Sequence, residues 1–147
     1  NVSGCIVVDS NNNAPEDKEI FTSLSKVNVS YIKLIAPTNG VSYIKKSLLR
    51  CSSFLYVVSI AGTTGSKQVN LKNVKKSIQL VRKVSKIPIG VGFGIKTKED
   101  VSKVSKVADA VIVGSGIVDI IGKNTKNHNL TKKIGSYLKN LKKGLKK

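Results

Sequence analysis

The sequence predicts an α/β fold in which parallel strands alternate with helices. Three observations predict it. Short apolar, β-rich runs alternate with segments of helical period along the whole 147-residue chain. The runs are nearly continuously apolar, as strands covered on both faces are. The last three runs each open into a glycine-bearing loop, where parallel α/β folds place their working groups. Hydrophobic residues make up 40% of the chain, which is enough for a real core and excludes a disordered composition.

The first run is Cys5-Ile6-Val7-Val8, closing on Asp9. An Asn-rich loop follows, and then Pro15 at a helix first turn with Glu16, Asp17 and Glu19 beside it. Proline suits that position, and acids there suit the positive end of the helix dipole. This helix is expected to run to about Lys26 and to bury Ile20, Phe21 and Leu24. The second run, residues 31–36, is stopped by Pro37-Thr38-Asn39-Gly40, and a helix over 41–50 then buries Ile44 and Leu48. The third run is Phe54-Leu55-Tyr56-Val57-Val58, followed by a polar loop over 59–68. Leu71, Val74, Ile78 and Val81 recur at helical spacing and form one apolar face. The fourth run, Ile87-Pro88-Ile89-Gly90-Val91, ends in Gly92-Phe93-Gly94. Thr97 with Glu99 and Asp100 reads as a capping-box helix start, continued by Val101, Val104 and Ala108. The fifth run, Ala110-Val111-Ile112-Val113, ends in Gly114-Ser115-Gly116. A last amphipathic helix carries Ile134, Leu138, Leu141 and Leu145 in phase.

The formal net charge is +18, half of it from nine lysines in residues 123–147, which contain no acid. Such a charge suggests nucleic acid or an acidic membrane as partner. Against both, only Arg50 and Arg82 are arginine, aromatics are 5%, and no basic–aromatic interleaving is seen. Richness in Asn, Ser, Ile and Lys points instead to AT-biased coding drift, so neither nucleic acid nor membrane is expected as a partner. The Lys-rich last helix is read as one apolar face packed inward and one charged face in water. No run approaches the roughly 20 apolar residues of a membrane span. Cys5 and Cys51 read as free thiols in a reducing compartment, and with one histidine, His128, they fall short of a zinc site; no metal is expected.

Five strands fit either a complete doubly wound sheet or a piece of a barrel, and the glycine loops bear on the choice. Glycine lets backbone N–H groups approach an anion, and a helix N-terminus adds partial positive charge. Two such loops after successive strands, Gly92-Phe93-Gly94 and Gly114-Ser115, the second opening a helix, form a phosphate cradle. In barrels that cradle follows strands seven and eight. If these two loops are that pair, the chain is the C-terminal part of a TIM (β/α)8 barrel. Residues 1–147 are expected to form a single partial domain holding strands four to eight, with strands one to three missing. The absence of any Met and the start at Asn1 agree with that expectation. Gly90-Val91-Gly92-Phe93-Gly94 is a poor dinucleotide fingerprint, because its third glycine comes one residue early for that motif.

A resemblance then becomes specific. Tyr56-Val57-Val58-Ser59-Ile60-Ala61-Gly62-Thr63-Thr64-Gly65 resembles the strand-six and loop-six signature of tryptophan synthase alpha chains. Pro88-Ile89-Gly90-Val91-Gly92-Phe93-Gly94-Ile95 is similar to that family's strand seven, and Ala108-Asp109-Ala110-Val111-Ile112-Val113-Gly114-Ser115 to its strand eight. Leu34-Ile35-Ala36-Pro37-Thr38 resembles strand five, and residues 4–9 strand four. The matches are collinear over almost the whole chain.

The resemblance implies a lyase of tryptophan biosynthesis that splits indole-3-glycerol phosphate into indole and glyceraldehyde 3-phosphate by a retro-aldol cleavage. It implies no cofactor in this chain. Pyridoxal phosphate is expected only in a partner beta chain, within an alpha2-beta2 tetramer. Gly65, Gly92, Gly94, Gly114 and Ser115 become phosphate and substrate-loop positions. Tyr56 and Phe93 become lining of the indole-glycerol pocket, and Thr64 part of a mobile closing loop. The family's two catalytic carboxylates belong to strand two and the loop after it, so this chain is expected to hold no catalytic residue and to be inactive alone. Asp9 is the one acid at a suitable strand end, and it is read as a loop anchor. Residues 9–15 depart from the family's Asp-Leu-Pro turn in being longer and more polar, and the basic tail exceeds the family's usual one. The expected compartment is the bacterial cytoplasm or the plastid stroma. Two alternatives stay open here. One is another phosphate-binding barrel, such as indole-glycerol phosphate synthase or a phosphoribosyl isomerase. The other is a basic α/β protein that grips phosphates or nucleic acid.

Overall fold

The structure, a computed structural model, describes residues 2–8, 10–59, 71–92, 94–125 and 127–145. Its elements run β1 (Gly4–Ile6), α1 (Pro15–Lys26), β2 (Ser30–Ile32), β3 (Leu34–Ile35), α2 (Val41–Leu48), β4 (Leu55–Val58), α3 (Leu71–Arg82), β5 (Ile89–Gly92), α4 (Lys98–Val104), β6 (Ala110–Val111), α5 (Ser115–Lys123) and α6 (Leu130–Lys142). The expected second run is split at Lys33 into β2 and β3. It stays attached to the following segment, because Ser52 donates its N–H to the Tyr31 carbonyl and Tyr56 donates to the Lys33 carbonyl, both at 2.9 Å.

Every pairing is parallel, and each strand lies beside the next in sequence: β1 with β2, then β3–β4–β5–β6. A doubly wound sheet reverses its strand order at a switch point. No reversal occurs here, so the order is that of a barrel wall.

The two faces of the wall differ. Ile35, Leu55, Val57, Ile89 and Val91 point toward the helices and join Ile44, Val74, Ile78, Val81, Val101, Val104 and Leu141 in one core. The alternate residues Ile32, Tyr56 and Val58, with Leu34, Phe54 and Ile112, form a second cluster that contains no helix residue. That is the inner lining of a barrel, whose interior is filled by side chains. Gly90 contributes by having no side chain: a methyl there would crowd Ile112 and the Phe54 ring.

Leu48 is half-buried rather than buried, and Ile6 and Val8 of the first run are exposed; most other local readings hold, with three further differences. Thr97 caps α4 in a reciprocal box: its hydroxyl accepts the Asp100 N–H at 3.1 Å, and Asp100 accepts the Thr97 N–H at 3.0 Å. In α1, however, Ile20, Phe21 and Leu24 are only half-buried, and the helix's buried residue is Asp17. The second difference is the segment after β6, which forms two helices. The first, α5, opens at Ser115, as the short extra helix of barrel phosphate sites does. Third, Leu138 and Leu145 of the last amphipathic segment are exposed, with only Leu141 buried. They flank a groove of about 240 Å³ with Val101, Val111 and Val113, beside the β6 edge that has no strand neighbour among the described residues. Both cysteines are free thiols, half-buried.

Candidate functional site

At the C-terminal ends of the strands, β4, β5 and β6 surround a cavity of about 170 Å³ lined by Tyr56, Gly94, Ile95, Ile112, Gly114 and Ser115. Strand alternation explains the membership. Tyr56 and Ile112 stand on the inner face, and the glycines lie just past the strand ends where the chain turns out toward the helices. Gly92 sits beneath Tyr56, and any side chain there would overlap the Tyr56 hydroxyl. The Gly92 carbonyl accepts the Ser59 hydroxyl at 2.7 Å and the Ser59 N–H at 3.0 Å, tying the exit of β4 to that of β5. Gly94 has φ +72°, a left-handed turn that glycine adopts without strain.

Gly114 is the N-cap of α5 and provides no side-chain cap, and no acid occupies the first turn of that helix. The first N–H groups of a helix lack acceptors within it and carry the positive end of the dipole. With the Ser115 hydroxyl, they give the cavity donors but no charge. Among the described residues no carboxylate lines it.

Of the residues expected to form the site, Tyr56, Gly94, Gly114 and Ser115 meet around the cavity, with Gly92 directly below. Thr64, Gly65 and Phe93, and also Asp9, lie outside the described residues. Ile95 and Ile112 belong to the lining and were not singled out from the sequence. The inward place of Ile112 follows from the strand register, in which Tyr56 lies level with Gly90 and Gly90 with Ala110, two residues before Ile112. A larger open depression on the α5–α6 turn, lined by Lys123, Asn124, Thr125, Asn127, His128 and Asn129, includes no strand-end residue.

A second polar cluster lies on the helix side of the wall. Asp17 and Lys33 are both 1% exposed and form an ion pair. Arg50 reaches the other Asp17 oxygen at 2.9 Å, and the Tyr31 hydroxyl donates to Asp17 at 2.6 Å. Burial alone would raise the Asp17 pKa, but donors Lys33, Tyr31 and Arg50 outweigh it and bring it to about 2. Burial, and then its bond to Asp17, push the Tyr31 hydroxyl up to about 12. Lys33 also reaches the Ser10 hydroxyl at 2.8 Å and Arg50 the Asn12 carbonyl at 3.0 Å, so the cluster fastens the Asn-rich loop. Among the described residues no group of three His, Cys, Asp or Glu is placed to hold a metal ion.

Wall, helix layer and strand-end cavity define a partial TIM-type β/α barrel with its candidate site at the usual end. The family profile described as "Tryptophan synthase alpha chain" matches residues 1–146. The chain belongs to the tryptophan synthase alpha chain family. It is 39% identical to the tryptophan synthase alpha chain of Phenylobacterium zucineum over 98% of its own length and 52% of that protein's. It is 42% identical to that of Methanocaldococcus jannaschii over 84% of its length and 43% of that protein's. The chain thus spans about half the length of the curated relatives it matches. Among solved structures, a mutant tryptophan synthase alpha-subunit from Pyrococcus furiosus superposes with TM-score 0.77 at 26% identity, over 95% of this chain and 55% of that one. An Aquifex aeolicus structure superposes with TM-score 0.81 at 29% identity, over 99% and 51%.

Proposed function

We propose that this chain supplies the phosphate-gripping half of a lyase that cleaves indole-3-glycerol phosphate to indole and glyceraldehyde 3-phosphate. The observation that carries the reading is the meeting of Gly94, Gly114 and Ser115 at the α5 N-terminus, with Tyr56 and Ile112 as an apolar floor. Backbone N–H groups and a hydroxyl there would hold the phosphate dianion, and the ring-sized apolar side would take the indole-glycerol portion. A retro-aldol cleavage also needs a base for the glycerol hydroxyl proton and an acid for the indole ring carbon. The cavity's described lining contains neither, and in this reading both come from barrel strands outside the sequence in hand. Thr64 and Gly65 belong to the closing loop and Phe93 to the pocket wall. The chain uses no cofactor of its own. Its partner is a pyridoxal-phosphate beta chain in an alpha2-beta2 assembly, in the bacterial cytoplasm or plastid stroma.

The test is a complementation assay. The 147-residue chain alone is expected to release no indole from indole-3-glycerol phosphate. A polypeptide bearing the three preceding strands, added in trans, is expected to restore release. Turnover by the chain alone would overturn the division of labour. Failure of the complete subunit to cleave this substrate would overturn the activity itself.

A further inference from the structure

We infer that Tyr137 is a positioning residue that sets the width of the strand-end cavity from outside it; this rests on the phosphate reading of the site. Tyr137 stands on α6 and does not line the cavity. Its hydroxyl donates to the Lys96 carbonyl at 2.9 Å, in the short loop that runs from Gly94 to the Thr97 cap. To reach it, the ring crosses Gly116, where a methyl would overlap the Tyr137 hydroxyl. Gly116 is the residue after Ser115, in the first turn of α5. One aromatic side chain therefore touches both halves of the cradle: the loop after β5 and the helix opening after β6.

A second tie joins the same two pieces. Lys96 Nζ pairs with Asp119 Oδ2 on α5 at 2.7 Å. Within the loop, Lys96 and Thr97 donate N–H to Asp100, and Ile95, which also lines the cavity, is buried at 1% exposure. Gly94, at the cavity end of this loop, turns with a left-handed φ. The separation of Gly94 from Ser115, on which a bound phosphate depends, is set by Tyr137 over Gly116 and by Lys96 with Asp119. Both residue types have specific purposes here. Phenylalanine would fill the same volume without the hydroxyl, and any residue but glycine at 116 would displace the ring.

The test uses the complete polypeptide that carries this sequence, with inorganic phosphate as the probe and calorimetric titration as the readout. Tyr137→Phe keeps the packing and removes the clamp. It is expected to weaken phosphate binding by up to about five-fold, the largest shift toward a slack cradle that loss of one hydrogen bond can cause, at temperatures well below unfolding. Hydrogen exchange at Lys96 and Thr97 should quicken in the same variant, a change that loss of α6 packing elsewhere would not produce selectively. Asp119→Asn, at a half-exposed site, provides a second variant that keeps the fold and is expected to weaken binding about two-fold, less at high salt. Wild-type binding with unchanged affinity in both variants would overturn the clamp and leave the phosphate reading standing. A wild-type protein that binds no phosphate would overturn the phosphate reading, and the clamp's purpose with it.

Discussion

Around Asp17 the chain buries charge and surrounds it with donors. At the ends of β4, β5 and β6 it does the reverse, lining a cavity with glycine backbone, two isoleucines and the side chains of Tyr56 and Ser115, and with no charge among the described residues. The first cluster has Lys33, Arg50 and Tyr31 converging on one carboxylate, so its polar capacity is spent within the fold. The second offers the start of α5, where the Ser115 and Gly116 N–H groups precede the first carbonyl the helix can offer. The difference separates a structural polar cluster from the proposed binding one. Perturbed pKa values mark the first, although perturbation often marks active sites. The site is marked by glycines and a helix start.

The largest expected effect breaks the structural cluster. Asp17→Ala leaves Lys33 buried against the helix layer with no counter-charge. Removing one partner of a buried pair costs about 3–5 kcal/mol, a large share of a typical domain's stability of roughly 5–15 kcal/mol. Urea unfolding of the complete protein measures it. The affinity of the folded fraction for phosphate should not change. A variant that kept its stability and lost phosphate affinity would reverse the assignment of the two clusters.

The next effect is read in pH. The Asp17 carboxyl is depressed in the fold from 3.8 to about 2. The native state thus binds the proton more weakly than the unfolded chain, so the contribution is complete above 3.8 and is lost as pH falls through about 2. At about 1.4 kcal/mol per unit the loss is roughly 2 kcal/mol. Stability curves between pH 5 and about 2 should lose this component in Asp17→Asn. Tyr31, raised to about 12, acts at the other end: its contribution is present below 10 and fades as pH rises toward about 12.

The sequence shows the site far better than the cluster, for a physical reason. Gly92, Gly94, Gly114 and Ser115 matter through backbone freedom and position after strands, and both are local properties that a one-dimensional pattern records. Parallel order and the inner and outer faces follow from the same periodicity. The Asp17 network joins residues 10, 12, 17, 31, 33 and 50 through tertiary packing, and no local pattern pairs a helix-first-turn acid with a lysine in an apolar run. Asp17 reads from sequence as a dipole-complementing surface acid, and in the fold it is the buried residue of α1. The reach of Tyr137 to Lys96 has the same character, crossing 41 positions of sequence. A helix opening at Gly114-Ser115 is expected from the sequence, and Ile117 and Val118 do close back on the Gly114 carbonyl, but its end before a separate α6 is not marked in the pattern.

The smallest effect tests the other side of the comparison. Ser115→Ala removes a hydroxyl from the cavity rim and leaves the backbone of α5 intact. Gly114 already caps that helix without any side chain, so no cap is lost and the unfolding free energy should stay within about 0.5 kcal/mol of wild type. If the hydroxyl donates to a bound phosphate, its loss should weaken inorganic phosphate about five-fold, with the N–H groups keeping the remainder. Affinity would then fall with stability unmoved, the inverse of Asp17→Ala. Equal phosphate affinity in Ser115→Ala would confine the grip to backbone groups.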